Sequence, residues 1–278
     1  MLRNGYNLTI FSLVALNLFF LYLNFGNAAS SPALYFLDVG QGESELLDNG
    51  GMKVLIDAGQ TNQIISSLGK IMSSPRYIDL GIISEPQANY FNGYNFLLNN
   101  YSFGAILWNG RLDQVVPEWQ ALLAKIKEQK IPMIQLAAGD IIREGDVEIK
   151  ILSPSPEFQL SGETADTSLV EHIDSPTMKA IFTGGIGANV ETFLIKNGLQ
   201  KADVLKVAAH GSKNSSSAEF LNALKPKISV IGTGAKTPPA AAALDRLNKS
   251  GSLIFETSKS GTVKVTSNGA KLQVFTEK

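Results

Sequence analysis

Leu80-Gly81-Ile82-Ile83-Ser84-Glu85-Pro86-Gln87-Ala88-Asn89-Tyr90-Phe91-Asn92-Gly93 is the stretch on which the reading of this chain turns. Its leading Leu80, Gly81, Ile82 and Ile83 read as a short buried strand. Ser84-Glu85-Pro86 turns the chain, and Phe91 to Leu98 reads as the start of a helix. A loop at such a junction presents side chains on a rigid scaffold, which favours chemistry there. This loop offers Glu85, Gln87, Asn89 and Tyr90: a carboxylate, two amides and a phenol.

Upstream, Ala33 to Leu37 reads as a strand and Asp38-Val39-Gly40-Gln41-Gly42 as a glycine-rich loop. Glu45 to Leu47 and Met52 to Ile56 form a hairpin around Asn49-Gly50-Gly51. Asp57-Ala58-Gly59 closes it, and Asn62 to Met72 carries Ile64, Ile65, Leu68, Ile71 and Met72 at helical spacing. Downstream, Ala105 to Trp108, Val116 to Gln129 and Ile131 to Ile134 repeat strand, helix, strand. That alternation predicts an α/β layered core. Glu148 to Leu152, Ser168 to His172 and Met178 to Phe182 then begin a second sheet with antiparallel character. Later strands are expected at Val204 to Ala208, Ile228 to Ile231, Leu253 to Phe255, Thr262 to Val265 and Leu272 to Phe275. Helices are expected at Ala218 to Leu224 and Ala240 to Asn248.

Composition excludes several chemistries. The 278 residues, 44% hydrophobic and 18% charged, suffice for one large core. There is no cysteine, so disulfides, thiolate catalysis and Cys-ligated zinc are out. With two histidines, His172 and His210, a site of three imidazoles cannot form within one chain. Net charge is -1, but Lys196 to Lys278 carries +8 and the remainder -9. The basic third is compatible with an anionic partner, nucleic acid included, and equally with a solvated surface.

Residues 1–30 read as a separate membrane anchor or signal peptide ahead of a folded domain at 31–278. No charge falls between Arg3 and Asp38, and Leu8 to Phe25 is nearly all apolar, close to the length that spans a bilayer. Gly26-Asn27-Ala28-Ala29 offers small residues for cleavage. The expectation is one apolar segment in the cytoplasmic membrane with the domain on the extracytoplasmic side, or secretion if the leader is cleaved.

Phe36-Leu37-Asp38-Val39-Gly40-Gln41-Gly42, Leu55-Ile56-Asp57-Ala58-Gly59 and Ala202-Asp203-Val204-Leu205-Lys206-Val207, the last followed by His210-Gly211-Ser212, together resemble the metallo-β-lactamase fold. More narrowly they resemble the β-lactamase-like domain of ComEC-type competence proteins. The resemblance implies a four-layer αβ/βα sandwich with a metal site at the edge of its two sheets. It also implies a His-x-His-x-Asp-His loop, an aspartate after a Thr-Gly pair and a His-His-Gly-Ser block. Two metals in such a site generate hydroxide and clamp a phosphoryl or acyl oxygen.

The ligands implied by the resemblance are largely missing. Glu85, Gln87, Asn89 and Tyr90 occupy the loop positions, Gly185 stands for the aspartate, and Ala209 for the first histidine of the pair. Only His210 remains. Asp38, Gly40, Gly42, Asp57, Gly59 and Ser212 read as the scaffold of the site, the aspartates binding backbone amides in tight loops and the glycines supplying permissive angles. His210 reads as a buried, hydrogen-bonded residue and His172 as lying on the solvent side of its strand. Ser212, Ser215, Ser216 and Ser217 cap the helix near Ala218 rather than forming a triad with His210.

No cofactor is expected. The alternative is a divalent metal on Asp57, Glu85 and His210, or a hard cation using the amide oxygens of Gln87 and Asn89. Two functions therefore stand: a non-catalytic binding or scaffold module whose partner occupies a groove lined by Glu85, Gln87, Asn89, Tyr90, Phe91 and Tyr94, or a phosphodiesterase or nuclease with atypical ligands.

Overall fold

The computed structural model describes residues 31–111, 116–159 and 163–278. One mixed sheet contains β1 (Ala33–Phe36), β2 (Glu45–Asp48), β3 (Lys53–Ile56), β4 (Tyr77–Ile83), β5 (Ser102–Trp108) and β6 (Met133–Gln135). The second sheet contains β7 (Ile141–Glu144), β8 (Val147–Ser153), β9 (Val170–Asp174), β10 (Lys179–Phe182), β11 (Val204–Lys206), β12 (Ile228–Ile231) and β13 (Leu253–Glu256). The chain then returns to the first with β14 (Val263–Ser267) and β15 (Leu272–Thr276). The strand orders are β15-β14-β1-β2-β3-β4-β5-β6 and β13-β12-β11-β10-β9-β8-β7. In the first sheet β3 to β6 run parallel; in the second, β10 to β13 do.

Helices α1 (Gln63–Gly69), α2 (Ala88–Phe91), α3 (Tyr94–Leu97) and α4 (Pro117–Glu128) follow strands of the first sheet. Helices α5 (Pro156–Gln159), α6 (Ala188–Lys196), α7 (Ala218–Leu224), α8 (Ala241–Lys249) and α9 (Thr257–Ser260) come later. Strand alternation explains the layering. Leu34, Phe36, Val54 and Ile56 pack between the sheets with Ala180, Phe182, Val204 and Val230. The intervening Leu55 faces Ile64, Leu68, Phe91 and Trp119 on the helical side. Ile181 and Leu205 face Val190, Leu194, Phe220 and Leu247 on the other. Each large apolar side chain so buried contributes about 1.5–3 kcal/mol. The result is an α/β sandwich of two mixed sheets between helical layers.

Three expectations need correction. The helix expected from Phe91 to Leu98 is two single turns, α2 and α3, separated by Asn92-Gly93. At Gly93 a Cβ would lie 1.9 Å from the Ala58 carbonyl oxygen, so the backbones touch there. His172 is not on a solvent face: it is 2% exposed. One face of the second sheet packs on the first sheet and the other on helices, so alternation separates two cores rather than core from water.

The membrane assignment finds no support either: no helix among the described residues is long and apolar enough to cross a membrane, against the expected anchor and the location inferred from it. Residues 1–30, on which that reading rested, lie outside the described residues. The helix α6, absent from the sequence reading, starts after Gly187 and buries Val190 and Leu194.

Candidate functional site

Inward-facing strand positions near one end of the sandwich carry charge instead of hydrocarbon. In β11, Val204 faces the inter-sheet core and Leu205 the helices, so Lys206 turns back between the sheets. The same alternation sends Glu171 of β9 and Glu45 of β2 inward. Glu43, Asp57 and Glu85 approach from loops, and all six side chains are buried. A strand interior is an unusual place for charge unless it is paired.

Glu43 and Lys206 form the central pair, 0% and 1% exposed, with Lys206 Nζ 2.9 Å from Glu43 Oε1. His210 Nδ1 stands 2.9 Å from the same oxygen. The ammonium and the imidazole thus converge on one buried carboxylate oxygen. Burial pushes the Glu43 carboxyl up, but Lys206 and His210 outweigh it and hold the group below its ordinary range. Burial likewise opposes the charge on Lys206, and the surrounding carboxylates, Glu43 first, keep it ionised. Lys206 also donates to the Gly184 carbonyl at 3.3 Å and lies 5.9 Å from the centre of the Tyr90 ring.

The other carboxyls go the opposite way. Burial raises Asp57 to about 7 and Glu171 to about 8, and lifts Glu45 well above the carboxylate range. Glu85 is also raised, chiefly by burial. One lysine neutralises one neighbour, and the remaining acids are favoured in their protonated forms.

Each side chain left as a ligand by the sequence has its own protein partner. Asp57 Oδ1 accepts from the Ser84 amide at 2.8 Å and Oδ2 from the Ser84 hydroxyl at 2.6 Å. Glu85 Oε2 accepts from Ser168 Oγ at 2.6 Å, while Oε1 accepts from Gln87 Nε2. His210 Nδ1 lies 2.9 Å from the Gly232 carbonyl, and Nε2 lies 2.9 Å from Asn89 Nδ2. With Nδ1 donating, Nε2 of the neutral ring accepts from the Asn89 amide. His210 is hydrogen-bonded through both ring nitrogens but only partly buried, its side chain 18% exposed.

Local backbone geometry fixes these positions. The one-turn 3-10 helix Ala208–His210 ends with positive φ at Ala209, His210 and Gly211, and the Ala209 amide donates to the Gly184 carbonyl. Gly185 lies beside that carbonyl, its amide donating to Ser168 Oγ. Ser168 thus links Gly185 to Glu85. Asp38 accepts from the Gly40 amide at 3.3 Å and its other oxygen meets Lys278 Nζ at 3.2 Å, a loop role outside the charged cluster. Gly40, Gly42 and Gly59 have positive φ; at Gly42 a Cβ would stand 2.7 Å from the Asn89 carbonyl. Ser212 Oγ accepts from the Asn214 amide, and Ser217 caps α7 by accepting from Phe220.

The expected groove is largely filled. Tyr90, Phe91 and Tyr94 are buried, with Phe91 stacked edge-on to Trp119 and Tyr94 donating to the Leu55 carbonyl. Aromatic residues on a short helix pack inward, so they do not line the opening. A cleft of about 620 Å³ does open beside the site, with Gln60, Gln87, Asn89 and Glu118 among its walls. Asn89 connects it to His210. The sequence reading missed Glu43, Glu45, Glu171 and Lys206. Their signal was parity: each strand charge shares its phase with apolar inter-sheet neighbours.

The residues do not fit a metal centre. Among the described residues, no group of three or more His, Asp or Glu side chains is arranged to hold a metal ion. The surviving candidates direct their lone pairs at Ser84, Ser168, Gln87 and Asn89, while an ammonium adjoins Glu43.

No protein-family model matches the chain. It is 25% identical over 259 residues to ComE operon protein 3 of Bacillus subtilis, covering 84% of this chain and 33% of that protein. It is 24% identical over 246 residues to Recombination protein 2 of Haemophilus influenzae, covering 86% and 29%. The chain therefore spans about a third of these curated relatives. Among solved structures it resembles the metallo-beta-lactamase fold protein YhfI from Bacillus subtilis, with a TM-score of 0.55 and 11% identity over 88% of this chain and all of that one. It also resembles Tm1679, a metal-dependent hydrolase of the beta-lactamase superfamily, with a TM-score of 0.55 and 13% identity over 85% and 100%.

Proposed function

We propose that this chain, a metallo-β-lactamase-fold protein, is a non-catalytic binding or scaffold module that works without a metal. The observation that carries this reading is the use of both His210 nitrogens and both Asp57 oxygens within the protein. A metal would have to displace those partners and enter beside Lys206, where like charge repels it. The opening beside Asn89 offers amides and an exposed carboxylate, which suit recognition by hydrogen bonding.

The partial matches to ComE operon protein 3 and Recombination protein 2 support a narrower reading, that the chain corresponds to the β-lactamase-like part of a ComEC-type protein. The test is the metal content of the purified full chain, together with phosphodiesterase assays in Zn²⁺, Mn²⁺ and Mg²⁺. Substoichiometric metal and no turnover are the expected results. Stoichiometric metal with turnover lost in both Glu85→Ala and His210→Ala would overturn the proposal.

A further inference from the structure

The two sheets end on β15 and β6 in the first and on β13 and β7 in the second. An edge strand carries unpaired N–H and C=O groups, and folds blunt it with brevity, charge, proline or a bulge. β6 has only three residues, β7 contains Arg143 and Glu144, and β13 ends on Glu256. β15, Leu272-Gln273-Val274-Phe275-Thr276, has none of these devices: it is uncharged, free of proline and paired with β14 without interruption. Its Phe275 is 54% exposed. With Tyr35 and Ile71 this ring lines an open hollow of about 220 Å³ on the helical side of the sheet.

The ladder with β14 fixes which backbone groups of β15 are left over. The Glu277 amide donates to the Thr262 carbonyl at 3.1 Å, and the Lys271 carbonyl accepts from the Asn268 amide at 3.2 Å. In an antiparallel strand both main-chain groups of one residue point to the same side, and those of the next residue point to the other. Lys271, Gln273, Phe275 and Glu277 therefore turn theirs toward β14. Leu272, Val274 and Thr276 turn theirs outward, where no described strand lies.

A second copy of the same edge satisfies these groups. With a two-fold axis at Val274, Val274 pairs with itself and Leu272 with Thr276 of the other copy, so every outward N–H of the strand meets an outward C=O. An axis one residue to either side leaves Thr276 or Leu272 opposite a residue beyond the strand. The same register sets Lys271 opposite Glu277, unlike charges across the pair. Glu277 already meets Lys70, so this contact selects the register more than it adds affinity. Phe275 lies opposite Gln273 and diagonal to the Phe275 ring of the other copy, within reach of an aromatic side chain. We infer that β15 is a self-complementary edge through which two copies of this chain pair antiparallel about Val274, joining their first sheets into one.

The full-length protein has no cysteine, so single cysteines report the register. Val274→Cys brings two thiols together at the axis, where facing Cα atoms stand about 5.5 Å apart, within disulfide reach. Leu272→Cys, on the same face of the strand, leaves them about 13 Å apart along the strands, too far to bridge. Diamide is expected to convert Val274→Cys, and not Leu272→Cys, into a covalent dimer. Sedimentation equilibrium of the parent chain should show a weak, reversible dimer, as befits a small interface. Val274→Pro removes an outward N–H and no bond to β14, so the circular dichroism spectrum should persist while the dimer dissociation constant rises about tenfold. Lys271→Glu, which sets two acids against each other, should raise it too, less so in high salt. The cysteine pair decides the matter even where proline at 274 unfolds the chain. A monomer at every concentration, equal cross-linking at 272 and 274, or a dimer indifferent to Val274→Pro would overturn the inference; the last would place the association on another surface.

Discussion

Glu85 Oε2 occupies the space where any side chain at position 185 would begin: a Cβ built on Gly185 would lie 2.1 Å from it, and 3.1 Å from the Tyr90 hydroxyl. The carboxylate on one loop and the absent side chain on the other are a single steric arrangement. Placing an acid at 185 would force two buried carboxyls together. Gly185→Asp is expected to destabilise the fold by about 3 kcal/mol, combining overpacking with buried like charge. Glu85→Ala should relieve it, with a coupling of about 2 kcal/mol in a double-mutant cycle. Urea denaturation of the four proteins measures this. Additive effects would show that the two positions do not compete for one volume.

Lys206 and Glu43 predict a different non-additivity. Lys206→Met leaves Glu43 buried without its strongest counter-charge, a change expected to cost about 3–5 kcal/mol. Lys206→Met with Glu43→Gln should recover much of that loss, since neither half then carries unbalanced charge. Thermal and chemical unfolding of the single and double variants provide the measurement. A double variant no more stable than Lys206→Met would remove the pair from the forces holding this end of the sandwich together.

Much of the architecture was legible in the sequence. The parallel strands, α4, the Ser217 cap and the hairpin before Asp57 all lie at or within a few residues of their expected positions, because turn chemistry and apolar periodicity act locally. Ser168 joins Glu85 to Gly185, and Asn89 contacts the retained His210. What could not be read locally was the polarity of the inter-sheet layer. Lys206 and Glu171 fall in one row only through the fold, on either side of Phe182 of β10. His172 was misplaced because a strand pattern cannot tell a solvent face from a helix-covered one. Phe91 and Tyr94 were misplaced because a loop expected to surround a groove instead folds its aromatics under it.

The protonated carboxyls make stability fall with pH. Burial raises Asp57 to about 7 and Glu171 to about 8, whereas both titrate near 4 in the unfolded chain. Between those values the folded state holds protons that the unfolded state has released. The stability associated with them is fully present below about pH 4 and is lost as pH rises through 7 and 8. His210 adds in the same direction: burial lowers its pKa, but Glu43 more than offsets this, so its contribution fades as pH rises through the raised folded value. Glu43, held low, contributes in the other direction and loses its effect in acid. Urea midpoints should therefore be highest at mildly acidic pH. Glu171→Gln should be close to the parent at pH 5 and more stable at pH 9 by on the order of 2 kcal/mol. An unchanged difference between the two pH values would place Glu171 among ordinary ionised carboxylates.

The Asn89 amide controls the last of these titrations from the cleft side. With His210 Nδ1 directed at Gly232 and Glu43, Nε2 accepts from Asn89 Nδ2 at 2.9 Å. That bond exists only for the neutral ring, because protonation turns Nε2 into a donor facing another donor. Removing the amide removes a contact that favours neutrality, so Asn89→Ala should raise the midpoint of His210 titration by about half a pH unit. Asn89→Asp should raise it further, by placing an acceptor and a negative charge against the same nitrogen. The two imidazoles resolve in a ¹⁵N titration, with His172 as an internal control on the far side of the second sheet. A midpoint that falls or stays fixed in Asn89→Ala would mean that the Asn89 carbonyl oxygen faces the ring and that His210 is held as a cation.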